Sequence, residues 1–189
     1  MSAVIAGSGA LWRYASSAGD SGKAPASWPA ASALVRSATG KTLVMFAHPQ
    51  CPCTQASLGE LALLMARSGS GLDAYVVFLE PDGVSDEWTH TSRVEEAACI
   101  PGVTVFFDKN GREARVFGAA TSGQTDLYDA GGRLLFSGGI TAARGHSGDN
   151  AGRDAIVEWA STGAARRTCT PVFGCALADA PRRTATLNP

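Results

Sequence analysis

The segment His48-Pro49-Gln50-Cys51-Pro52-Cys53-Thr54 holds the residues most suited to chemistry in this 189-residue chain. An apolar run, Thr42-Leu43-Val44-Met45-Phe46-Ala47, precedes it and reads as a buried strand, while Gln55 to Arg67 follows and reads as an amphipathic helix. Two cysteines therefore stand where a strand turns into a helix N-terminus. Backbone N–H groups and the helix dipole favour an anion there, and so favour thiolate over thiol. Thiolate is the form that attacks disulfides and peroxides and binds soft metals. His48 is of a type that lowers a neighbouring thiol pKa, acts as a base or ligates metal; an exposed loop histidine is the competing reading. A bridge between Cys51 and Cys53 would close a small, strained ring, easily reduced and therefore oxidising.

Three further cysteines follow. Cys169 and Cys175 read as a disulfide fastening the C-terminal tail, the alternative being that Cys175 folds back as a resolving cysteine or ligand. Cys99, near the apolar end of a helix, reads as core. His90 reads as surface.

The elements that must position these groups alternate. Ala31 to Ala38 reads as a short helix, and Lys41 to Ala47 as the first strand. In the helix after the cysteines, Ala56, Leu58, Leu61, Leu64 and Met65 share one face, and Gly69 and Gly71 stop it. Ala74 to Leu79 reads as a second buried strand. A helix capped by Ser85, with Asp86 and Glu87 in its first turn, is expected to run to about Cys99. Val103 to Phe107 reads as a third strand, and Arg112 to Phe117 as a short helix or an edge strand. Gln124–Tyr128 and Arg133–Ser137, joined by Asp129-Ala130-Gly131-Gly132, give a hairpin signal. Asn150 or Asp149 caps a last helix that Gly163 ends. This alternation implies a sheet covered on both faces.

Composition narrows the function classes. With 16 basic and 17 acidic residues the formal net charge is −1, and there is no basic stripe, which leaves nucleic-acid binding without electrostatic support. Ala3 to Trp12 is small and apolar, too short to span a bilayer, and Ser16 to Pro29 has the Ser/Ala/Gly/Pro composition of a linker. Residues 1–30 therefore read as a truncated membrane anchor plus linker, with a frayed surface helix as the plainer alternative. Residues 31–163 read as the domain, and 164–189 as an irregular tail.

The element order resembles the thioredoxin-like superfamily, and more narrowly the branch with an extra strand-helix insertion that includes peroxiredoxins and membrane-anchored cytochrome-maturation thioredoxins. The segments Val105-Phe106-Phe107-Asp108-Lys109-Asn110-Gly111 and Leu127-Tyr128-Asp129-Ala130-Gly131-Gly132-Arg133 are similar to the paired strand-turn segments of that branch. The resemblance implies an α/β, three-layer fold with a central mixed sheet of about five strands flanked by helices. It also implies that the loop after the last strand, Thr141 to Asn150, brings Arg144 and His146 towards Cys51. Three departures stand out. The pair is Cys-Pro-Cys, one residue shorter than the family's Cys-x-x-Cys. The place of the family's cis-proline falls near Thr121-Ser122-Gly123-Gln124. The Thr or Ser that peroxiredoxins need three residues before the attacking cysteine is missing.

Two function classes remain. One is an exported thiol–disulfide oxidoreductase, with peroxide reduction as a variant, using Cys51, Cys53, His48, His146 and Arg144, with no cofactor and with protein thiols, disulfides or a small peroxide as partners. It would work outside the cytoplasm, anchored to a membrane. The other is a Cu(I) or Zn(II) binding or delivery protein using His48, Cys51, Cys53 and His146.

Overall fold

A computed structural model of the protein describes residues 12–177. The strands are β1 (Lys41–Ala47), β2 (Leu72–Glu80), β3 (Val103–Lys109), β4 (Gln124–Tyr128) and β5 (Leu134–Gly139). The helices are α1 (Cys53–Ser68), α2 (Asp86–Thr89), α3 (Ser92–Ala98), α4 (Arg112–Val116) and α5 (Ala151–Thr162). The strands form one mixed sheet in the order β3-β2-β1-β4-β5. β1 pairs parallel with β2, and β2 parallel with β3, whereas β4 runs antiparallel to both β1 and β5.

The near-continuous apolar run of β1 is explained by its central position, since both of its faces are covered. On one face Leu43, Met45 and Ala47 meet Leu58, Leu61 and Leu64 of α1 and Ile156 of α5. On the other, Val44 and Phe46 meet Phe117, Tyr128 and Leu34, with Trp28 packed edge-on against Phe117 and Tyr128. Two apolar layers around one sheet make the three-layer α/β fold. Leu58, Leu61 and Leu64 are wholly buried, and replacing one by Ala would cost about 2–5 kcal/mol.

Four expectations are corrected. Residues 31–38 are not helical, because Ser32 Oγ and the Ala33 N–H bond the buried Glu113 carboxylate instead. The helix expected from Ser85 to Cys99 is two helices. His90 and Thr91 leave helical φ/ψ, and Thr91 caps α3 through its carbonyl. That break lets the Thr91 hydroxyl and the Arg93 guanidinium donate to the Pro49 carbonyl beside the cysteines. Cys99 is exposed rather than core, and Ile100 takes the buried position.

The linker-like stretch is in fact packed against the body between Gly19 and Trp28. Thr121 donates to the Asp20 carbonyl, Tyr128 to that of Pro25, and Leu134 to that of Ala26, while Trp28 donates to Gly132. The apolar segment read as an anchor, up to residue 11, lies outside the described residues. No helix among the described residues is long and apolar enough to cross a membrane.

Candidate functional site: three thiols at a helix start

α1 begins at Cys53 with Pro52 as its N-cap, and neither a side-chain cap nor an acidic first-turn residue competes for its leading N–H groups. The Cys51 sulfur takes their place, accepting from the backbone of Cys53 and Thr54. The turn that presents it is tied down from several sides. Cys51 N–H donates to the His48 carbonyl, as does the Thr54 hydroxyl, and His48 N–H donates to Ser122 Oγ. Ser122 Oγ lies 3.1 Å from Thr54 Oγ1, closing the ring of bonds.

A third sulfur completes the site from the far end of the chain. Residues 175–177 run antiparallel to the segment before β4: Ser122 N–H donates to the Cys175 carbonyl, Leu177 N–H to that of Ala120, and Thr121 bridges Ala176. This pairing lands Cys175 Sγ 2.9 Å from Cys51 Sγ. Cys51, Cys53 and Cys175 all lie within 4.8 Å of one another. Cys51 and Cys53 are buried, Cys175 half-buried.

The three thiols are not equivalent. For Cys51, burial pushes the pKa up, but hydrogen bonds from the Cys175 thiol and from the N–H groups of Cys175, Cys53 and Thr54 outweigh it, and the net shift is downward. For Cys53, burial and then the charge of Cys51 push the pKa up, partly offset by Arg144. Cys175 is pushed up to about 12 by burial and by donating its proton towards Cys51. Of the three thiols, Cys51 is the one whose surroundings favour the thiolate, with the Cys175 sulfur facing it. The arrangement can attack an electrophilic sulfur or oxygen at Cys51 and then close a disulfide to Cys175.

The sequence-predicted residues divide accordingly. Cys51 and Cys53 are brought together. Arg144 reaches the site through its charge on Cys53 and Cys175, and its guanidinium donates to the Gly174 and Ser17 carbonyls and lies over the Tyr14 ring. His48 stands beside the turn, its Nδ1 accepting from Gln50 N–H and its ring meeting Trp88 edge-on at 5.2 Å. His146 is exposed. Among the described residues, no histidine joins the three sulfurs.

The expected Cys169–Cys175 staple is not formed; both thiols are free. The tail between them is stretched from β5, where Cys169 bridges Ser137 and Thr170 donates to Gly139, to Thr121 ahead of β4. Ser122 and Thr54, which lock the turn, were given no role from the sequence; the polar run Thr121-Ser122 in the place of the family's proline was the available signal. No cis peptide bond occurs among the described residues.

No protein-family model matches the chain, and no curated protein matches it. Solved structures do. A hypothetical protein of Sinorhizobium meliloti 1021 aligns with a TM-score of 0.65 at 23% identity, over 83% of this chain and 96% of that one. An uncharacterized conserved protein of Geobacillus kaustophilus aligns with a TM-score of 0.61 at 16% identity, over 88% and 94%. A secreted Mycobacterium tuberculosis disulfide oxidoreductase homologous to E. coli DsbE aligns with a TM-score of 0.46 at 14% identity, over 65% and 81%. The core β1-α1-β2, the antiparallel β4-β5 hairpin and α5, with α2, α3 and β3 added at the β2 edge, match the architecture expected from the sequence. The chain therefore has a thioredoxin-like fold.

Proposed function

We propose that the protein is a thiol–disulfide oxidoreductase in which Cys51 attacks and Cys175, rather than Cys53, resolves. The observation that carries this reading is the 2.9 Å approach of Cys175 Sγ to Cys51 Sγ across 124 residues of sequence. The Cys51 thiolate attacks one sulfur of a protein disulfide, forming a mixed disulfide and releasing the other sulfur as a thiolate that takes a proton from water. Cys175 loses its proton to solvent and attacks Cys51 Sγ, expelling the second substrate thiolate and closing a Cys51–Cys175 disulfide. Two electrons pass to the substrate, and a dithiol partner must return them. A Cys51–Cys53 bridge would instead close a small strained ring.

The burial of Cys51, only 2% exposed, also favours a small oxidant. A hydroperoxide would convert the Cys51 thiolate to a sulfenic acid and leave as the alcohol or water. Cys175 would then condense with the sulfenic acid, releasing water. Stopped-flow oxidation with hydrogen peroxide against a model protein disulfide separates the two. The disulfide reading expects faster reaction with the disulfide, and the peroxidase reading the reverse. A variant with both Cys51 and Cys175 replaced by Ser that keeps either activity contradicts both.

Work outside the cytoplasm, at a membrane towards which the N-terminal apolar segment lies, is part of the same proposal. Its support is that segment's composition alone. Fractionation of cells making the full gene product tests it, and recovery in the cytosolic fraction contradicts it.

A further inference from the structure

We propose that reduced Cys51, Cys53 and Cys175 form a site for one monovalent copper ion held by three sulfurs. The inference goes beyond the oxidoreductase reading and does not depend on turnover; it requires only that the three thiols be reduced. It replaces the donor set expected from the sequence, in which histidines accompanied two cysteines.

The geometry supplies the first argument. A metal–sulfur bond of about 2.3 Å in a trigonal plane spaces its sulfurs about 4 Å apart. The three Sγ atoms already lie within 4.8 Å of one another. The Cys51–Cys175 pair, at 2.9 Å, would need to open by about 1 Å.

The donor chemistry supplies the second. Thiolates are soft ligands that select Cu(I), which accepts three-coordination, whereas a structural Zn(II) site takes four protein ligands. Among the described residues no histidine, carboxylate or further cysteine joins the cluster to provide a fourth. Three thiolates around one Cu(I) carry a net charge of −2, and the Arg144 guanidinium acts on two of them, Cys53 and Cys175. Each thiol that binds gives its proton to water.

The pairing of residues 175–177 with 120–122 supplies the third. The third ligand arrives on a backbone segment fixed by hydrogen bonds, so the site is largely formed before the ion enters.

The test titrates the anaerobically reduced full chain with Cu(I) against a chromophoric Cu(I) chelator at neutral pH. One equivalent should bind, and Cys175→Ser should weaken binding at least ~100-fold, close to the deficit from losing a ligand or its supporting shell. Cys169→Ser and His146→Ala should leave binding unchanged, and equimolar Zn(II) should not displace the copper. X-ray absorption of the wild-type complex should count three sulfur neighbours and no nitrogen, a readout that does not depend on any variant folding. Substoichiometric binding, affinity unchanged in Cys175→Ser, loss in His146→Ala, displacement by Zn(II), or a nitrogen neighbour would each overturn the proposal. Peptide mapping of the oxidised protein keeps the two readings apart: a Cys51–Cys175 disulfide without Cu(I) binding sinks only the copper site.

Discussion

Cys169 and Cys175 sit six residues apart in one tail, yet the fold gives them opposite situations. Cys169 is exposed beside β5, where Thr168 and Cys169 add a short parallel contact to Ser137. Cys175 is half-buried against the helix start, held by Ser122 and Ala176 contacts, with a buried sulfur 2.9 Å away. Both are cysteines in irregular backbone, and local sequence does not separate them. What separates them is which strand the backbone of the tail pairs with. A tail cysteine becomes chemical when its segment docks at the entry to β4, in front of the helix N-terminus; docked on β5 it is a surface thiol.

Breaking that contrast at its source has the largest expected effect. Cys51→Ser should reduce disulfide exchange below a hundredth of wild type. Cys175→Ser should keep the first attack but accumulate the mixed disulfide, visible as a stable adduct on non-reducing gels. Unchanged turnover in Cys175→Ser would return the resolving role to Cys53.

Moving the docked segment should come next. A Cβ on Gly174 would fall on the Ser122 carbonyl oxygen, backbone against backbone. Gly174→Ala should therefore cost about 1–3 kcal/mol and sharply lower the yield of Cys51–Cys175 disulfide. Gly71→Ala, where a Cβ would meet nothing within 4 Å, is the control. Thermal denaturation and thiol mapping of both variants check this.

The layer beneath supplies a pH test. Asp126 is buried in β4, with one carboxylate oxygen unpartnered, and its pKa is pushed up to about 7 by burial, against hydrogen bonds from Ser137 and Gln124. The folded state therefore holds a proton that an unfolded aspartate has already lost between about pH 4 and 7. Its contribution is full below the unfolded pKa and is lost as pH rises through about 7. Asp126→Asn should flatten that fall in denaturant midpoint between pH 5 and 8, and an unaltered slope would contradict the assignment.

Arg144→Ala should slow resolution by Cys175 about tenfold, because it removes a positive charge that favours the Cys53 and Cys175 thiolates and a tie to Gly174. Cys169→Ser, at the other end of the contrast, should change stability by no more than about 0.5 kcal/mol.

The sheet was legible because its signals are local. β1 occupies Lys41–Ala47 as the apolar run implies, β4 and β5 lie where the hairpin signal puts them, and Asn150 caps α5 by accepting from Arg153 N–H. The break between α2 and α3 was not legible, because it serves contacts from Thr91 and Arg93 to Pro49, far away in sequence. The non-helical 31–38 segment was hidden for the same reason, since its partner is Glu113. At the site, Cys51 and Cys53 could be found from one strand-to-helix turn. The partner of Cys51 could only be offered as an alternative, since placing Cys175 depends on a strand-like pairing across more than fifty residues of chain.

The central claim is the identity of the thiol facing Cys51. Mild oxidation of the reduced protein, alkylation of remaining thiols and peptide mapping test it directly. Trypsin places Cys51 and Cys53 in one peptide and Cys169 and Cys175 in another, so fragmentation must assign the linked sulfurs. The account predicts a Cys51–Cys175 crosslink with Cys53, Cys99 and Cys169 alkylated; a Cys51–Cys53 or Cys169–Cys175 disulfide in its place would contradict it.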